Sequence, residues 1–77
     1  MNAFSIIQYK GENYLILKYI DRKNLTVLKY EGDINRGSII EKVYSVFEDL
    51  VDMEIKSNVP AKIIRKSEIE RVIFKFK

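Results

Sequence analysis

The spacing of apolar and polar positions changes along this chain. Residues 4–10 (FSIIQYK), 14–20 (YLILKYI) and 25–30 (LTVLKY) are short apolar runs rich in β-branched and aromatic side chains, the composition of strands. GEN and DRKN separate them, connections short enough to make neighbouring strands antiparallel. The pattern therefore predicts a three-stranded meander. A two-residue turn at Gly11 and Glu12 sets Ile6 opposite Leu17 and Tyr9 opposite Tyr14. Closure of the second hairpin by DRKN, with Asn24 left-handed, sets Leu17 opposite Leu28 and Lys18 opposite Val27. One face then carries Phe4, Ile6, Leu15, Leu17, Tyr19, Leu28 and Tyr30, and is the expected core face. The other carries Ser5, Ile7, Tyr9, Tyr14, Ile16, Lys18, Val27 and Lys29. Its aromatic and basic mixture reads as an open face.

From residue 38 the period becomes helical. On a helical wheel, Met53, Val46, Ile39, Leu50, Val43, Phe47, Ile40, Val51, Tyr44 and Ile55 fall in one arc of about 200°. Glu41, Glu48, Asp49 and Asp52 fall in the rest. Ser38 with Glu41 matches a capping box, and Asn58 followed by Pro60 matches a helix stop. The prediction is a helix over 39–56, about 27 Å long at the standard rise. Beyond it, residues 62–66 and 71–77 read as two further strands. Val72, Phe74 and Phe76 are expected inward, and Ile73, Lys75 and Lys77 outward. KSEIE between them suits one helical turn, capped by Ser67 with Glu70 three residues on.

The order is β-β-β-α-β-β in a single domain over residues 1–77, an α+β fold. Two arrangements fit: an open sheet with the long amphipathic helix on one face, which the helix length favours, or an SH3-like partial barrel. No motif secures a resemblance to a known family.

Charge sharpens the picture. The net +3 is unevenly spread: residues 1–37 carry +2, residues 38–55 carry −4 and residues 56–77 carry +5. The acid marks the solvated face of the helix. The 77 residues include no histidine and no cysteine. That removes the usual Ser-His and Cys-His nucleophile pairs, the common zinc ligands and any disulfide. The three glycines form no phosphate-cradling loop. Catalysis is therefore not expected, and neither is a cofactor or a metal. No apolar run approaches the length of a membrane span, and the N-terminus lacks the pattern of a signal peptide. A cytoplasmic, non-catalytic interaction module is the expectation.

Two surfaces are candidates for that interaction. The apolar arc of the helix is wider than one sheet face covers, and Ile39, Val46, Leu50 and Met53 form a short coiled-coil-like seam along its edge. This points to a regulatory or inhibitory protein that acts by protein–protein binding, as a homodimer or with a partner. The alternative is a small single-stranded nucleic-acid-binding domain. Tyr9 and Tyr14 would stack on bases while Lys18, Lys29, Lys75 and Lys77 hold phosphates, with Arg22, Lys23, Arg65, Lys66 and Arg71 at the rim.

Overall fold

The computed structural model describes residues 4–45 and 61–76. Five strands form one antiparallel sheet: β1 (Ile6–Tyr9), β2 (Glu12–Tyr19), β3 (Asn24–Lys29), β4 (Ala61–Arg65) and β5 (Arg71–Phe74). Their spatial order is β4-β3-β2-β1-β5. Helix α1, described over 36–45, follows β3, and a single 3₁₀ turn (Lys66–Glu68) lies between β4 and β5. The fold is α+β with an open sheet and one helix between β3 and β4. Among the described residues no helix is long and apolar enough to cross a membrane.

The first hairpin turns one residue earlier than the sequence pattern suggests. Tyr9 pairs with Glu12, so the turn residues are Lys10 and Gly11. Both are left-handed, with φ of 49° and 77°. That is the conformation a two-residue hairpin needs to match strand twist. Lysine seldom adopts it, which hides the turn in the sequence. Ile6 consequently pairs with Leu15 and Ile7 with Tyr14. The shift is two residues in register, so the division of side chains between the faces survives.

The second hairpin breaks that division. Ile16 pairs with Val27, but Lys18 pairs with Thr26 and Tyr19 with Leu25. Leu17 is the extra residue of a β-bulge, and beyond it the alternation of β2 reverses. Tyr19 thereby moves from the expected core face to join Ile16, Leu25 and Val27, while Lys18 leaves that side. Asn24 is not left-handed; it opens β3, and its side-chain amide donates to both carboxylate oxygens of Asp21 at 3.1 and 3.2 Å.

Both faces of the sheet's central strands are buried. Ile6, Leu15, Tyr30 and Ile39 form one cluster, with Phe4, Leu17, Val43, Ile73, Phe74 and Phe76 packed against it. Helix α1 covers this face through Ile39 and Val43, one turn apart. Ile7, Tyr9, Tyr14, Ile16, Leu25, Val27 and Ile64 form the other, joined by Tyr19 and Ile69. This second face was expected to be open. It is closed because the sheet coils on itself. Residues 66–70 join strands at opposite edges of five, which lie about 19 Å apart in a flat sheet at the usual spacing. A five-residue link that contains a 3₁₀ turn is too short for a flat sheet, so the edges curl toward one another. Lys62 of β4 accordingly lies 5.8 Å from the ring of Tyr9, three strands away. The open sheet thus takes the curvature of a partial barrel.

The helix also starts earlier than predicted. Asn35 is its N-cap: its side-chain oxygen accepts the Ser38 N–H at 2.8 Å, and its carbonyl accepts the Ile39 N–H at 3.0 Å. Asn caps as well as Ser, so Arg36 and Gly37 enter the first turn and Ser38 lies inside the helix. Before it, the loop after Tyr30 folds over that ring, and the Tyr30 hydroxyl donates to the Asp33 carbonyl. A Cβ at Gly32 would sit 2.8 Å from the Tyr30 hydroxyl oxygen, so a larger residue there would have to displace the Tyr30 ring. The helix stop at Asn58 and Pro60 lies outside the described residues.

The C-terminal strand departs from its expected alternation. A bulge between Ile6 and Ile7 in the β1–β5 pairing makes Ile73 the extra residue. Ile73 packs on the helix side with Phe74 and Phe76, while Val72 is 41% exposed. Glu70 does not cap the 3₁₀ turn. Its carboxylate accepts the Gly11 N–H at 3.0 Å, and Glu68 instead accepts the Arg65 N–H at 3.0 Å.

Candidate anion-binding cleft

The β2–β3 turn and the end of β4 lie side by side because β3 and β4 pair with Asn24 opposite Arg65. The Lys66 N–H donates to the Lys23 carbonyl at 2.7 Å and extends that ladder by one step. Arg22, Lys23 and Asn24 thus face Arg65, Lys66 and Ser67 across a cleft of about 880 Å³. Four of the six lining residues are cations, and none is an acid.

The nearby carboxylates are turned to the backbone. Asp21 accepts the N–H groups of Lys23 and Asn24 at 2.7 and 2.9 Å. Those bonds, with the one from the Asn24 side chain, hold its carboxyl below the usual carboxylate range; the Lys23 N–H contributes most. Glu68 is engaged by Arg65 N–H. Among the described residues no carboxylate forms an ion pair with Arg22, Lys23, Arg65 or Lys66. Both walls are fixed by backbone hydrogen bonds, and the lining offers donors: two planar guanidinium forks, two ammonium groups and a hydroxyl, the Asn24 amide being committed to Asp21. Its chemistry is that of holding an anion.

Four cations elsewhere are engaged. The Lys29 ammonium lies 3.2 Å from Glu12 and 3.4 Å from Glu31. The Glu12 partner raises the Lys29 pKa, and Lys29 in turn lowers that of Glu12. Lys10 and Lys62 lie over the Tyr9 ring, Lys62 also over that of Tyr14, and the Arg36 guanidinium sits 4.9 Å from the Phe76 ring.

The proposed stacking platform is corrected by burial. Tyr9 and Tyr14 are 8% and 5% exposed and pack edge to face at 5.7 Å within the concave cluster. Their faces are not presented to a base. Lys18 and Lys75 are exposed, Lys29 is held by two glutamates, and Lys77 lies outside the described residues. Of the five rim cations, Arg22, Lys23, Arg65 and Lys66 come together; Arg71 does not line the cleft. Asn24 and Ser67 complete the lining and were not foreseen, since only the β3–β4 register places them there. The helix seam is also corrected at its first residue. Ile39 is fully buried against the sheet and is core, because the sheet-facing stripe of α1 begins with it. Val46, Leu50 and Met53 lie outside the described residues.

A second groove of about 590 Å³, between Lys29–Asp33 and the start of α1, mixes Glu31, Asp33 and Glu41 with Lys29 and Lys42 and has no dominant sign. Among the described residues no group of three or more His, Cys, Asp or Glu is placed to hold a metal ion. No protein-family model, curated protein or solved structure matches this chain.

Proposed function

We propose that this protein is a non-catalytic interaction module whose partner is a polyanion, bound in the cleft between the β2–β3 turn and the end of β4. The observation that carries the reading is the lining itself: Arg22, Lys23, Arg65 and Lys66 converge with no acid among them. Like charges held together repel one another, and a fold gains nothing from gathering them. Local conflicts of this kind are expected where a site needs them. The preformed backbone of both walls means that little ordering is left for the moment of binding. A cytoplasmic location belongs to the same proposal. The reading favours a polyanion over a protein seam on α1, since the seam loses Ile39 to the core.

Heparin-affinity chromatography tests it. Arg22→Gln with Lys66→Gln removes two charges from the cleft. Lys18→Gln with Lys75→Gln removes two exposed charges outside it. The two variants have the same net charge. The cleft variant is expected to elute at clearly lower salt than the control. Equal elution would show that net charge alone governs retention, and the cleft would not be the site.

A further inference from the structure

We infer that the polyanion is a nucleic-acid strand, held by its phosphodiester backbone without any reading of its bases. The inference rests on the cleft being a polyanion site, and it names the ligand of that site.

The lining separates the possible anions. It contains no aromatic or aliphatic residue. Recognition of unpaired bases uses aromatic rings as stacking platforms, and the two tyrosines nearest in type, Tyr9 and Tyr14, are buried elsewhere. A stacking platform is therefore absent from this site, while backbone contact is provided by four cations. Arg22 and Arg65 both line the cleft, and a guanidinium fork matches a pair of phosphate oxygens. Lys23 and Lys66 add point charges at the same level of the ladder.

An acidic protein segment fits less well. The centre of a protein–protein interface is depleted in charge and anchored by apolar or aromatic side chains, and this cleft has neither property. A small phosphorylated ligand also fits less well. Such sites bury most of their ligand, yet five of the six lining residues are exposed and only Asn24 is half-buried. The site is open to solvent, suited to a polymer that runs past it.

The salt dependence has a predictable size. Four neutralised phosphates give a slope of log K on log salt of about −3 for a single strand. Between about 50 and about 200 mM salt the affinity then falls about 50-fold.

The test is fluorescence anisotropy with labelled oligothymidylate, oligoadenylate and a mixed sequence of equal length. Polyglutamate serves as competitor, and phosphatidylserine vesicles are assayed by co-sedimentation. The three strands are expected to bind within a factor of two of one another, with the slope given above. Arg22→Gln and Lys66→Gln are each expected to weaken all three alike and to reduce the slope by about 0.7, with thermal melting unchanged. Competition by polyglutamate as effective as that by oligonucleotide would overturn the nucleic-acid assignment while leaving the polyanion reading intact. Preference for vesicles over strands would overturn it in the same way. A spread of more than tenfold among the sequences would overturn backbone-only recognition. Failure of every polyanion to bind at about 50 mM salt would sink the polyanion reading itself.

Discussion

Ile39 decides between two uses of the helix, and replacing it gives a large, calculable effect. Its side chain is fully buried beside Ile6, Leu15 and Tyr30. Ile39→Ala removes three carbons from that site, about 2.4 kcal/mol at ~0.8 kcal/mol per buried carbon. The cavity left behind adds to this, within the range of about 2–5 kcal/mol found for such truncations. The higher helix propensity of alanine returns about half a kcal/mol. The net expectation is a loss of about 3 kcal/mol, against a total stability of roughly 4–12 kcal/mol for a chain of this length. In a thermal melt this is a fall of about 12–24 °C.

Urea titration followed by far-ultraviolet circular dichroism measures the loss directly, with the m-value expected to stay constant. Tyr44→Ala is the internal control. Tyr44 lies five residues along the same helix and is 69% exposed, so its truncation should stay within about 0.5 kcal/mol. A loss under about 1 kcal/mol for Ile39→Ala, or one no larger than that for Tyr44→Ala, would refute the packing of α1 on the sheet. Ile39→Asp sharpens the choice. A buried site predicts an unfolded chain; an exposed seam predicts a folded chain with altered mass in light scattering.

Four further substitutions probe the local structure. Asn35→Ala should cost about 1 kcal/mol in urea titration through loss of the helix cap, whereas Ser38→Ala, inside the first turn, should be nearly neutral; the reverse order would restore Ser38 as the cap. Gly11→Ala should destabilise by about 1 kcal/mol, because φ of 77° is unfavourable for any residue with a Cβ, and an unchanged midpoint would contradict the hairpin assignment. Glu12→Gln should flatten the acid limb of the stability–pH profile: the lowered Glu12 pKa gives stability that is present above its usual value of 4.5 and lost as pH falls through the lower, folded value. An acid limb identical to the parent's would mean that the Lys29–Glu12 pair does not persist in solution.

Much of the fold is legible in the sequence because period-2 alternation survives a register difference of two residues. The pattern places the first hairpin turn one residue late, yet Ile6, Leu15 and Leu17 keep to one face, since the register differs by an even number. The bulge at Leu17 is different. Nothing in YLILKYI distinguishes the residue that will be left over from its neighbours, and one extra residue reverses Tyr19 and Lys18 together. The closure of the concave face was hidden for a related reason. Lys18 and Lys29 interrupt its apolar positions and imitate a solvated surface. The structure turns Lys18 aside at the bulge and pairs Lys29 with Glu12 and Glu31 at the rim. Wide separation in sequence concealed the cleft. Arg22 and Lys23 lie more than forty residues before Arg65 and Lys66, and only the pairing of β3 with β4 brings the two pairs together.

The coiling of the sheet and the position of the cleft are linked. A chain of this size has little core to spare, and burying both faces leaves few places where a binding surface can form without opening the core. The ends of the strands are such a place. There the Asp21 carboxylate closes the turn, the Lys23 carbonyl accepts the Lys66 N–H, and Glu68 holds the Arg65 N–H. Those bonds fix the backbone of both walls while leaving the four cationic side chains directed to solvent. The side chains are therefore separable from the fold: removing their charge should change affinity for a polyanion and leave melting untouched. Lys29 has the opposite character, since its charge is already committed to two glutamates across neighbouring segments. Charge removal at Lys29 should alter the pH profile of stability and leave polyanion affinity nearly unchanged. Measuring both quantities on both classes of variant separates a cation that holds the domain together from one that is held ready for a partner.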